Sequence, residues 1–300
     1  MDTDDRVTRC GFVAIVGRPN VGKSTLLNHL VGQKVSITSS KPQTTRHRVI
    51  GIKTAQGAQA IYVDTPGLHG GRGRAIDRAM SRAALGALQD VDLVVFVVEA
   101  LRWTGDDARV AERLRDLRVP AILAVNKVDR VERKEDLLPY LEELGTRGSF
   151  AEVIPVSARA GIQLDVLERE VGCRLPESAP LFSTDQVTDR SERFLAGEII
   201  REKLMRRLGQ EVPYRLTVEI ERFSEEGVTT KIDAVIWVET PGQKAIVIGA
   251  EGKMLKAVGA EARADIERML EKRVYLGLWV KVREGWSDDD RALRQLGYDG

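Results

Sequence analysis

The sequence is poor in cysteine, nearly without net charge, and free of long apolar runs. Its two cysteines, Cys10 and Cys173, lie far apart and lack metal-ligand spacing, so free thiols are predicted rather than a disulfide framework or a zinc site. The formal net charge of +1 means that any basic surface for nucleic acid must be local. Residues 93–98 form one of the longest apolar runs, too short to cross a bilayer, and the polar residues 1–9 predict no signal peptide. We therefore expect a cytoplasmic protein.

The pattern of apolar residues changes near residue 175. Up to that point strand-like runs alternate with helical patterns, which is typical of an α/β fold with a doubly wound, mostly parallel sheet. Residues 176–189 contain two prolines and many small polar residues and predict a linker. Residues 190–284 follow the order helix, strand, strand, helix, helix, strand, a smaller α+β domain in which Gly259 is a candidate break of the last helix. Residues 285–300 form a C-terminal tail.

The most specific motif is Gly17-Arg18-Pro19-Asn20-Val21-Gly22-Lys23-Ser24, which fits G-x-x-x-x-G-K-[ST] between a predicted strand and a predicted helix. Its glycines let the backbone wrap a phosphate, and the helix N-terminus adds unpaired N–H donors. Lys23 is expected on the β- and γ-phosphates, Ser24 on Mg²⁺, and Thr25 on a neighbouring phosphate. A chance glycine-rich turn is the alternative, and the flanking strand and helix argue against it. The first domain, residues 1–175, is therefore predicted to be a P-loop NTPase domain.

A second motif, Asn126-Lys127-Val128-Asp129, selects among nucleotides. It follows the apolar run 121–125, and ligands of open α/β sheets bind at the carboxyl ends of strands. The Asp129 carboxylate can accept from guanine N1–H and from the exocyclic amine, both of which adenine lacks, so GTP is predicted rather than ATP. Lys127 is expected to pack along the base and Asn126 to tie the loops together. Ser157-Ala158, after the next strand, would reach guanine O6 through backbone N–H groups.

Two further segments are expected to sense the γ-phosphate and Mg²⁺. Asp64-Thr65-Pro66-Gly67 ends a predicted strand; Asp64 should hold Mg²⁺ through water, and the Gly67 N–H should meet the γ-phosphate and move when it leaves. In the polar segment 36–48, a threonine hydroxyl can complete the Mg²⁺ shell. Thr45 is favoured, Thr44 stays open, and an ordinary exposed loop is the alternative reading of this segment.

The catalytic group is the least certain part of the motif set. Leu68 occupies the position where Ras-type GTPases carry a glutamine that orients the attacking water, and leucine cannot do so. The group comes from elsewhere, or backbone holds the water, or hydrolysis is slow. Asn20 in the phosphate loop suggests K⁺ activation; a loop-capping amide is the alternative. His69 as a base is less favoured than an exposed loop histidine. The residues expected to act in catalysis are Lys23, Thr45, Gly67 and Asn20.

The second domain carries a G-x-x-G loop, Gly249-Ala250-Glu251-Gly252, before a predicted helix. Alone this pattern is weak, but within the order α-β-β-α-α-β it is specific for a type 2 KH domain, whose loop approaches the sugar-phosphate backbone of single-stranded RNA. The carboxylate of Glu251 should weaken that contact. A protein-interaction module is the alternative. The residues expected to contact RNA are Gly249, Ala250, Glu251, Gly252, Lys253 and Lys256, with Arg263 and Lys244 as further phosphate contacts and Ile246, Ile248 and Leu255 lining the groove or the core.

With these motifs the chain closely resembles the bacterial Era GTPases, which are of the TrmE-Era-EngA type, from end to end. The resemblance rests on Gly17 to Ser24, Pro42-Gln43-Thr44-Thr45-Arg46, Asp64 to His69, Asn126 to Asp129, Ser157-Ala158, Gly249 to Gly252 and Leu278-Trp279-Val280-Lys281-Val282. Leu68 is not a departure within that family.

The resemblance implies that GTP is hydrolysed to GDP with Mg²⁺ and that the nucleotide state controls binding of the KH domain to the 3′ end of 16S rRNA. It also implies a role in rRNA processing and 30S subunit biogenesis, a monomer, and peripheral association with the inner membrane, for which the sequence offers no basic amphipathic anchor. Two alternatives stay open. One is a related GTPase, acting in tRNA modification or with two GTPase domains, which the single set of nucleotide motifs disfavours. The other is an RNA-binding scaffold whose nucleotide site is regulatory with little hydrolysis.

Overall fold

The structure is a computed structural model that describes residues 7–41, 44–64, 75, 76, 78, 80, 90–117, 119–209, 211–296 and 298. Contacts divide the chain into two units, which are described in turn. The first unit draws on Met1–Ser36, Thr45–Gly70 and Ser81–Asp189. The second draws on Ile37–Thr44, Gly71–Met80 and Arg190–Gly300.

The first unit is built on a six-stranded sheet with the strand order β2-β3-β1-β4-β5-β6. All neighbouring strands pair in parallel except β2, which is antiparallel to β3, and this confirms the doubly wound mixed sheet. The strands are β1 (Arg9–Val16), β2 (Val49–Ala55), β3 (Ala58–Asp64), β4 (Leu93–Glu99), β5 (Ala121–Asn126) and β6 (Glu152–Pro155). The helices are α1 (Lys23–Val31), α2 (Gly105–Arg115), α3 (Leu137–Thr146) and α4 (Leu164–Arg174).

The central strands of this sheet are covered on both faces. Strands β4 and β5 have apolar side chains at nearly every position, and those side chains are buried, as a parallel sheet between two helical layers requires. The parallel register aligns Ile15 with Asp64, and Glu99 with Asn126. The carboxyl ends of these strands therefore meet at one edge of the sheet, where ligands of open α/β sheets bind.

The segment predicted as a linker is docked on the sheet. The Gln59 side-chain oxygen accepts from the N–H groups of Leu181 and Phe182, both at 2.9 Å. Farther along, the Ile52 N–H donates to the Val187 carbonyl at 2.9 Å and the Thr188 hydroxyl donates to the backbone of strand β2 at 2.6 Å. Strand β2 is the edge of the sheet, so this segment satisfies backbone groups that the edge would otherwise expose.

The second unit has a three-stranded sheet in the order β7-β8-β9, with β7 antiparallel and β9 parallel to β8. Its elements are α5 (Glu192–Arg207), β7 (Leu216–Glu226), β8 (Thr229–Val238), α6 (Pro241–Ile248), α7 (Lys253–Leu270), β9 (Arg273–Val282) and α8 (Asp290–Gln295). The first six confirm the predicted α-β-β-α-α-β order. Helix α7 is continuous through Gly259, where a Cβ would lie 3.4 Å from Leu278, so this glycine serves close packing and does not break the helix.

Residues 37–44 belong to this second unit although they precede the first domain's later strands in sequence. Glu202 on α5 is fully buried and accepts from the Thr38 N–H at 2.9 Å and from its hydroxyl at 3.2 Å. The neighbouring Arg201, 1% exposed, donates to the Thr44 carbonyl and pairs with Glu198 at 2.7 Å. Thr38 and Thr44 are therefore held by hydrogen bonds to the buried charged side chains of Glu202 and Arg201.

Both cysteines are free, as predicted: Cys10 is buried and Cys173 is exposed. In the part of the chain that the structure describes, no helix has the length and apolar character needed to span a membrane.

Candidate functional site

The phosphate loop joins the end of β1 to the start of α1, and its glycines are required by close approach. A Cβ at Gly17 would lie 2.3 Å from the Val97 carbonyl oxygen, and one at Gly22 would lie 2.3 Å from the Asn126 amide nitrogen. Both residues also have positive φ, 149° and 104°, which disfavours any side chain there. The loop can therefore keep this path only with glycine at both positions.

Lys23 is folded into this loop. Its Nζ donates to the carbonyls of Gly17 at 3.0 Å and Arg18 at 3.1 Å, and the residue is only 7% exposed. Burial lowers the pKa of Lys23 to about 8; the charge of Asp64 opposes this shift and that of Arg18 adds to it. Among the described residues the Lys23 ammonium bonds carbonyls and no carboxylate, so it can bind an anion such as a phosphate. A bound phosphate would raise the pKa of Lys23 again.

Three hydroxyls converge on one carboxylate beside the start of α1. Ser24 Oγ donates to Asp64 Oδ2 at 2.7 Å and lies 2.9 Å from Thr45 Oγ1, which is itself 3.3 Å from Asp64 Oδ2. The Ser36 hydroxyl also donates to that oxygen, at 2.8 Å. Thr44 instead donates to the Lys41 carbonyl at 2.7 Å, so Thr45 and not Thr44 meets the other two residues.

This oxygen cluster fits the Mg²⁺ expected from the sequence. Asp64 is fully buried, and its Oδ1 atom has no hydrogen-bond partner among the described residues. Burial raises the pKa of Asp64, against the lowering effects of Lys23 and of the hydroxyls that donate to it. Mg²⁺ prefers hydroxyl, carboxylate and water oxygens and usually keeps several waters. Within the described ranges no cluster of three His, Cys, Asp or Glu side chains could hold a metal, so nucleotide oxygens would have to complete the shell.

The guanine loop, residues 126–129, is joined by one side chain to the phosphate loop, residues 17–24. Asn126 Nδ2 donates to the Val21 carbonyl at 2.8 Å, and Asn126 Oδ1 accepts from the N–H groups of Lys127 at 2.8 Å and Ala158 at 2.9 Å. The predicted tie between loops is therefore present. Because the Ala158 N–H already has a partner, its expected contact with guanine O6 requires exchange of that bond.

The Asp129 carboxylate, which is predicted to bind guanine, is oriented by the hydroxyl of Ser157. Ser157 Oγ donates to Asp129 Oδ1 at 2.6 Å, while Asp129 itself is exposed at the carboxyl end of β5. This bond fixes the rotation of the carboxylate and leaves its second oxygen for a ligand. Only a backbone role was predicted for Ser157, since nothing in its local pattern indicates a partner 28 residues away.

Two other residues predicted to contact the nucleotide, Asn20 and Thr25, lie on either side of Lys23 in the phosphate loop and helix α1. Asn20 is exposed in the left-handed region with φ 64°, and its amide caps no described backbone group, unlike the capping alternative. Thr25 is half-buried in the first turn of α1. Gly67, with its neighbours Leu68 and His69, lies outside the described residues, and so does the Pro42-Gln43 pair.

Sequence reasoning missed a buried set of charges at the same sheet edge. Arg18, in the variable part of the phosphate loop, pairs with Glu99 at 2.8 Å and with Asp107 at 3.1 Å. Lys127 of the guanine loop pairs with the same Glu99 at 2.9 Å. The partners lie about 30 to 90 positions apart in the chain, and no local signal links them.

The predicted RNA loop connects α6 to α7 in the second unit. A Cβ at Gly249 would lie 2.7 Å from the Met254 Cβ, so the chain turns tightly there. Glu251 follows in the left-handed region with φ 51° and pairs with Lys253 at 2.8 Å; both side chains are more than three-quarters exposed. The Glu251 carboxylate, which was predicted to weaken the RNA contact, therefore pairs with Lys253. Because both side chains are exposed, this ion pair contributes little stability.

A groove of about 1140 Å³ runs between α7 and the edge strand β9. Of the predicted RNA contacts, Gly252, Leu255, Lys256 and Arg263 line it. Ile248 packs against the core instead, and Ile246 is 52% exposed on α6. Sequence reasoning missed Tyr275, which is 60% exposed on the groove wall and offers a ring face to an unstacked base.

Two family models match different parts of the chain. A model described as a 50S ribosome-binding GTPase matches residues 12–127, and a KH-domain model matches residues 211–287. The first match contains the phosphate loop and ends inside the guanine loop, at Lys127, and the second contains the G-x-x-G loop.

Solved structures of Era proteins match the whole fold. An Era protein in complex with MgGDPNP and nucleotides 1506–1542 of 16S ribosomal RNA has a TM-score of 0.94 at 38% identity, covering 98% of this chain and 100% of that one. An Era variant of Aquifex aeolicus bound to GDP·AlF4⁻ has a TM-score of 0.93 at 37% identity, covering 97% and 100%.

Curated relatives are closer in sequence. The GTPase Era of Ectopseudomonas mendocina is 57% identical over 296 residues, 99% of each chain. That of Marinobacter nauticus is 58% identical over 290 residues, 97% of this chain and 95% of the relative. Such identity over nearly the full length, together with loops that keep the geometry of both sites, means that the chain belongs to the Era family of GTPases.

Proposed function

We propose that the chain hydrolyses GTP to GDP with Mg²⁺ and uses the nucleotide state to control binding of its KH domain to the 3′ end of 16S rRNA. In this role it acts in rRNA processing and in biogenesis of the 30S subunit. One observation carries the nucleotide half: Asn126 bonds Val21 at 2.8 Å, so the base reader and the phosphate loop are fixed relative to each other. The RNA half draws support from the Era structure that contains MgGDPNP and 16S rRNA nucleotides.

Each proposed contact follows from the geometry of the first unit. The phosphate loop encloses the phosphates, with Lys23 on the β- and γ-phosphates and the N-terminus of α1 behind them. Ser24 and Thr45 supply hydroxyls to Mg²⁺, and Asp64 holds it through water; the ion, when bound, neutralises charge that develops on the phosphoryl oxygens. Asp129 reads guanine. The proposed nucleotide contacts are Gly17, Asn20, Val21, Gly22, Lys23, Ser24, Thr25, Asp64, Gly67, Asn126, Lys127, Asp129, Ser157 and Ala158.

Activation by K⁺ at Asn20 is the proposed answer to the missing glutamine. Its amide is exposed at the loop tip and caps no described backbone group, which leaves its oxygen for a cation beside the phosphates. A monovalent cation there would act as an arginine finger does, by offsetting charge in the transition state. Turnover in KCl should exceed turnover in NaCl, and equal rates in the two salts would remove K⁺ from the mechanism.

RNA is proposed to enter the groove of the KH domain with its backbone over the G-x-x-G loop. Gly249, Ala250, Glu251 and Gly252 form the loop, Lys253 and Lys256 supply positive charge, and the groove wall supplies apolar and aromatic surface. The proposed domain bounds are residues 1–175, 176–189, 190–284 and 285–300; the GTPase match at residues 12–127 lies in the first domain, and the KH match at residues 211–287 ends just beyond the proposed KH bound. A cytoplasmic location stays a prediction from the sequence, a monomer stays a prediction, and peripheral inner-membrane association stays a prediction that rests on the family resemblance.

The decisive experiment measures GTP hydrolysis with and without a single-stranded RNA of the 16S 3′ end, in K⁺ and in Na⁺. RNA affinity is measured in parallel by filter binding in GDP and in a non-hydrolysable GTP analogue. We expect different RNA affinities in the two nucleotide states. Gly252→Asp, which puts a carboxylate at a left-handed position in the loop, should weaken RNA binding and leave basal hydrolysis unchanged. Equal RNA binding by wild type and variant would remove the loop from recognition.

Leu68 favours one competing function, a scaffold whose nucleotide site is regulatory. Without a glutamine after Gly67, binding could persist with little turnover. Phosphate release separates the two: the scaffold predicts the same slow release with and without RNA and K⁺, whereas the proposed enzyme is accelerated by at least one of them.

A further inference from the structure

One carboxylate lies between the two nucleotide-binding loops of the first unit. Glu99, the last residue of β4, accepts from Arg18 Nη2 at 2.8 Å and from Lys127 Nζ at 2.9 Å, and all three side chains are at most 20% exposed. Although partial burial raises it, the hydrogen bonds from Lys127 and Arg18 leave the pKa of Glu99 below its ordinary value. Glu99 is therefore an ionised partner shared by the phosphate loop and the guanine loop.

A second carboxylate holds the same arginine from the opposite side. Asp107 on α2 is fully buried, and its Oδ2 accepts from Arg18 Nε at 3.1 Å and from the Thr104 hydroxyl at 2.7 Å. Its Oδ1 has no hydrogen-bond partner in the described part of the chain, so Arg18 is its only bonded cation there. Leaving such a carboxylate without its cation would be costly, which keeps the arginine in one position.

The anchored arginine positions the lysine that grips phosphate. The Arg18 side chain is fixed by the two carboxylates, while its backbone carbonyl accepts from Lys23 Nζ at 3.1 Å. The loop between Gly17 and Gly22 has no regular secondary structure, and its far end is held by the bond from Asn126 to the Val21 carbonyl. The position of the Lys23 ammonium before nucleotide binding thus depends on groups outside the loop.

We propose that Glu99 and Asp107 are positioning residues for the nucleotide, acting through Arg18 and Lys127. Glu99 adds a second link between the phosphate loop and the guanine loop, beside the Asn126–Val21 bond, because it holds one cation from each loop. Asp107 fixes only the phosphate end, because its cation comes from the phosphate loop alone. The inference rests on the proposed GTP binding, and it assigns to these two carboxylates a role in affinity rather than in fold stability.

The two carboxylates differ in what their loss should do, and this separates positioning from simple structural support. Glu99→Gln keeps shape and one acceptor but loses the charge that pairs with Arg18, with Lys127 and, at 3.9 Å, with the exposed Arg102, so both loops loosen. GDP affinity should fall about tenfold, the loss of one charge-assisted bond. The ratio of GDP to IDP affinity should also fall, since inosine lacks the exocyclic amine that Asp129 reads. The kcat at saturating GTP should change less than affinity, because neither side chain touches the reacting atoms.

Asp107→Asn retains the acceptor for Thr104, so the start of α2 is preserved. It should weaken GDP and IDP by the same factor, about fivefold to tenfold, and leave their ratio unchanged. Glu132→Gln is the matched control. Glu132 is exposed on the wall of the same cavity of about 420 Å³ that Glu99 and Lys127 line, and its substitution should change neither affinity nor ratio.

The experiment measures GDP and IDP dissociation constants, steady-state kinetics and thermal unfolding of the nucleotide-free protein for wild type and the three variants. Positioning is supported if affinity falls while the unfolding temperature of the nucleotide-free protein stays at the wild-type value. The proposal is overturned if Glu99→Gln binds GDP like wild type, if its GDP to IDP ratio is unchanged, or if affinity falls only in step with stability. Wild type that binds no GDP would instead refute the proposed function.

Discussion

The nucleotide site and the RNA groove differ in how far their functional side chains are buried. In the first, Lys23 and Asp64 are 7% and 0% exposed, and each side chain bonds a neighbour within the site: Lys23 the Gly17 carbonyl, and Asp64 the Ser24 hydroxyl. In the second, Tyr275 is 60% exposed and the Glu251–Lys253 pair stands in solvent. A site that must select guanine and order a reaction is prearranged, whereas one that accepts a flexible strand presents shape and charge. Substitutions should therefore be costly in the first site and graded in the second.

The largest effect is expected from Lys23→Ala. Removing the buried ammonium takes away a preorganised cation at the phosphates, so GTP hydrolysis should fall at least about a hundredfold. Phosphate release under saturating GTP measures it. Lys134→Ala, at an exposed lysine of the same unit, serves as the control and should hydrolyse GTP at the wild-type rate. Should Lys23→Ala retain full turnover, the contrast between the two sites would lose its basis.

The next effect tests the groove. Tyr275→Ala should weaken binding of the 16S 3′-end RNA roughly tenfold, since stacking of a base on an aromatic ring contributes ~1–3 kcal/mol. Tyr275→Phe keeps the ring and should bind like wild type. Fluorescence anisotropy with a labelled oligonucleotide measures both, and an equal loss in the two variants would point to the hydroxyl rather than to stacking. Basal GTP hydrolysis should be unchanged in each.

A smaller change is expected behind the guanine reader. Ser157→Ala removes the 2.6 Å bond that orients Asp129, and GDP affinity should fall about fivefold, in line with one hydrogen bond to a charged group. Titration calorimetry with GDP gives the value. Ser178→Ala removes an exposed serine hydroxyl that bonds the adjacent carbonyl, and it should leave affinity as it is. Identical affinities of Ser157→Ala and wild type would mean that the carboxylate orients itself.

The smallest effect, and the one of opposite sign, concerns the loop of the KH domain. Glu251→Gln frees Lys253 from its exposed ion pair and removes a negative charge near the RNA backbone. RNA affinity should rise about twofold to threefold, and its dependence on salt should steepen, because one more cation becomes available to phosphate. Glu284→Gln, an exposed carboxylate outside the loop, should change neither quantity. Weaker binding by Glu251→Gln would show that the pair supports the loop.

Sequence reasoning identified features that are formed by consecutive residues of the chain. The phosphate loop needs glycines and a lysine at fixed spacing, and a strand and a helix flank it as predicted. It stopped short where partners are distant in sequence: Glu99 and Arg18 are 81 positions apart, and only the pairing of β1 with β4 brings them together. The choice between Thr44 and Thr45 likewise needed the position of Asp64, three-dimensional information that no local pattern holds.

The docked segment 176–189 has a practical consequence for dividing the protein. Any fragment that stops at residue 175 would lose the bonds from Leu181, Phe182 and Thr188, and the backbone of strand β2 would then face water with unpaired groups. A bare sheet edge is a template for a strand of a second molecule, so such a fragment should self-associate. A GTPase fragment that ends after residue 189 keeps its own border closed and is the better unit for separate study.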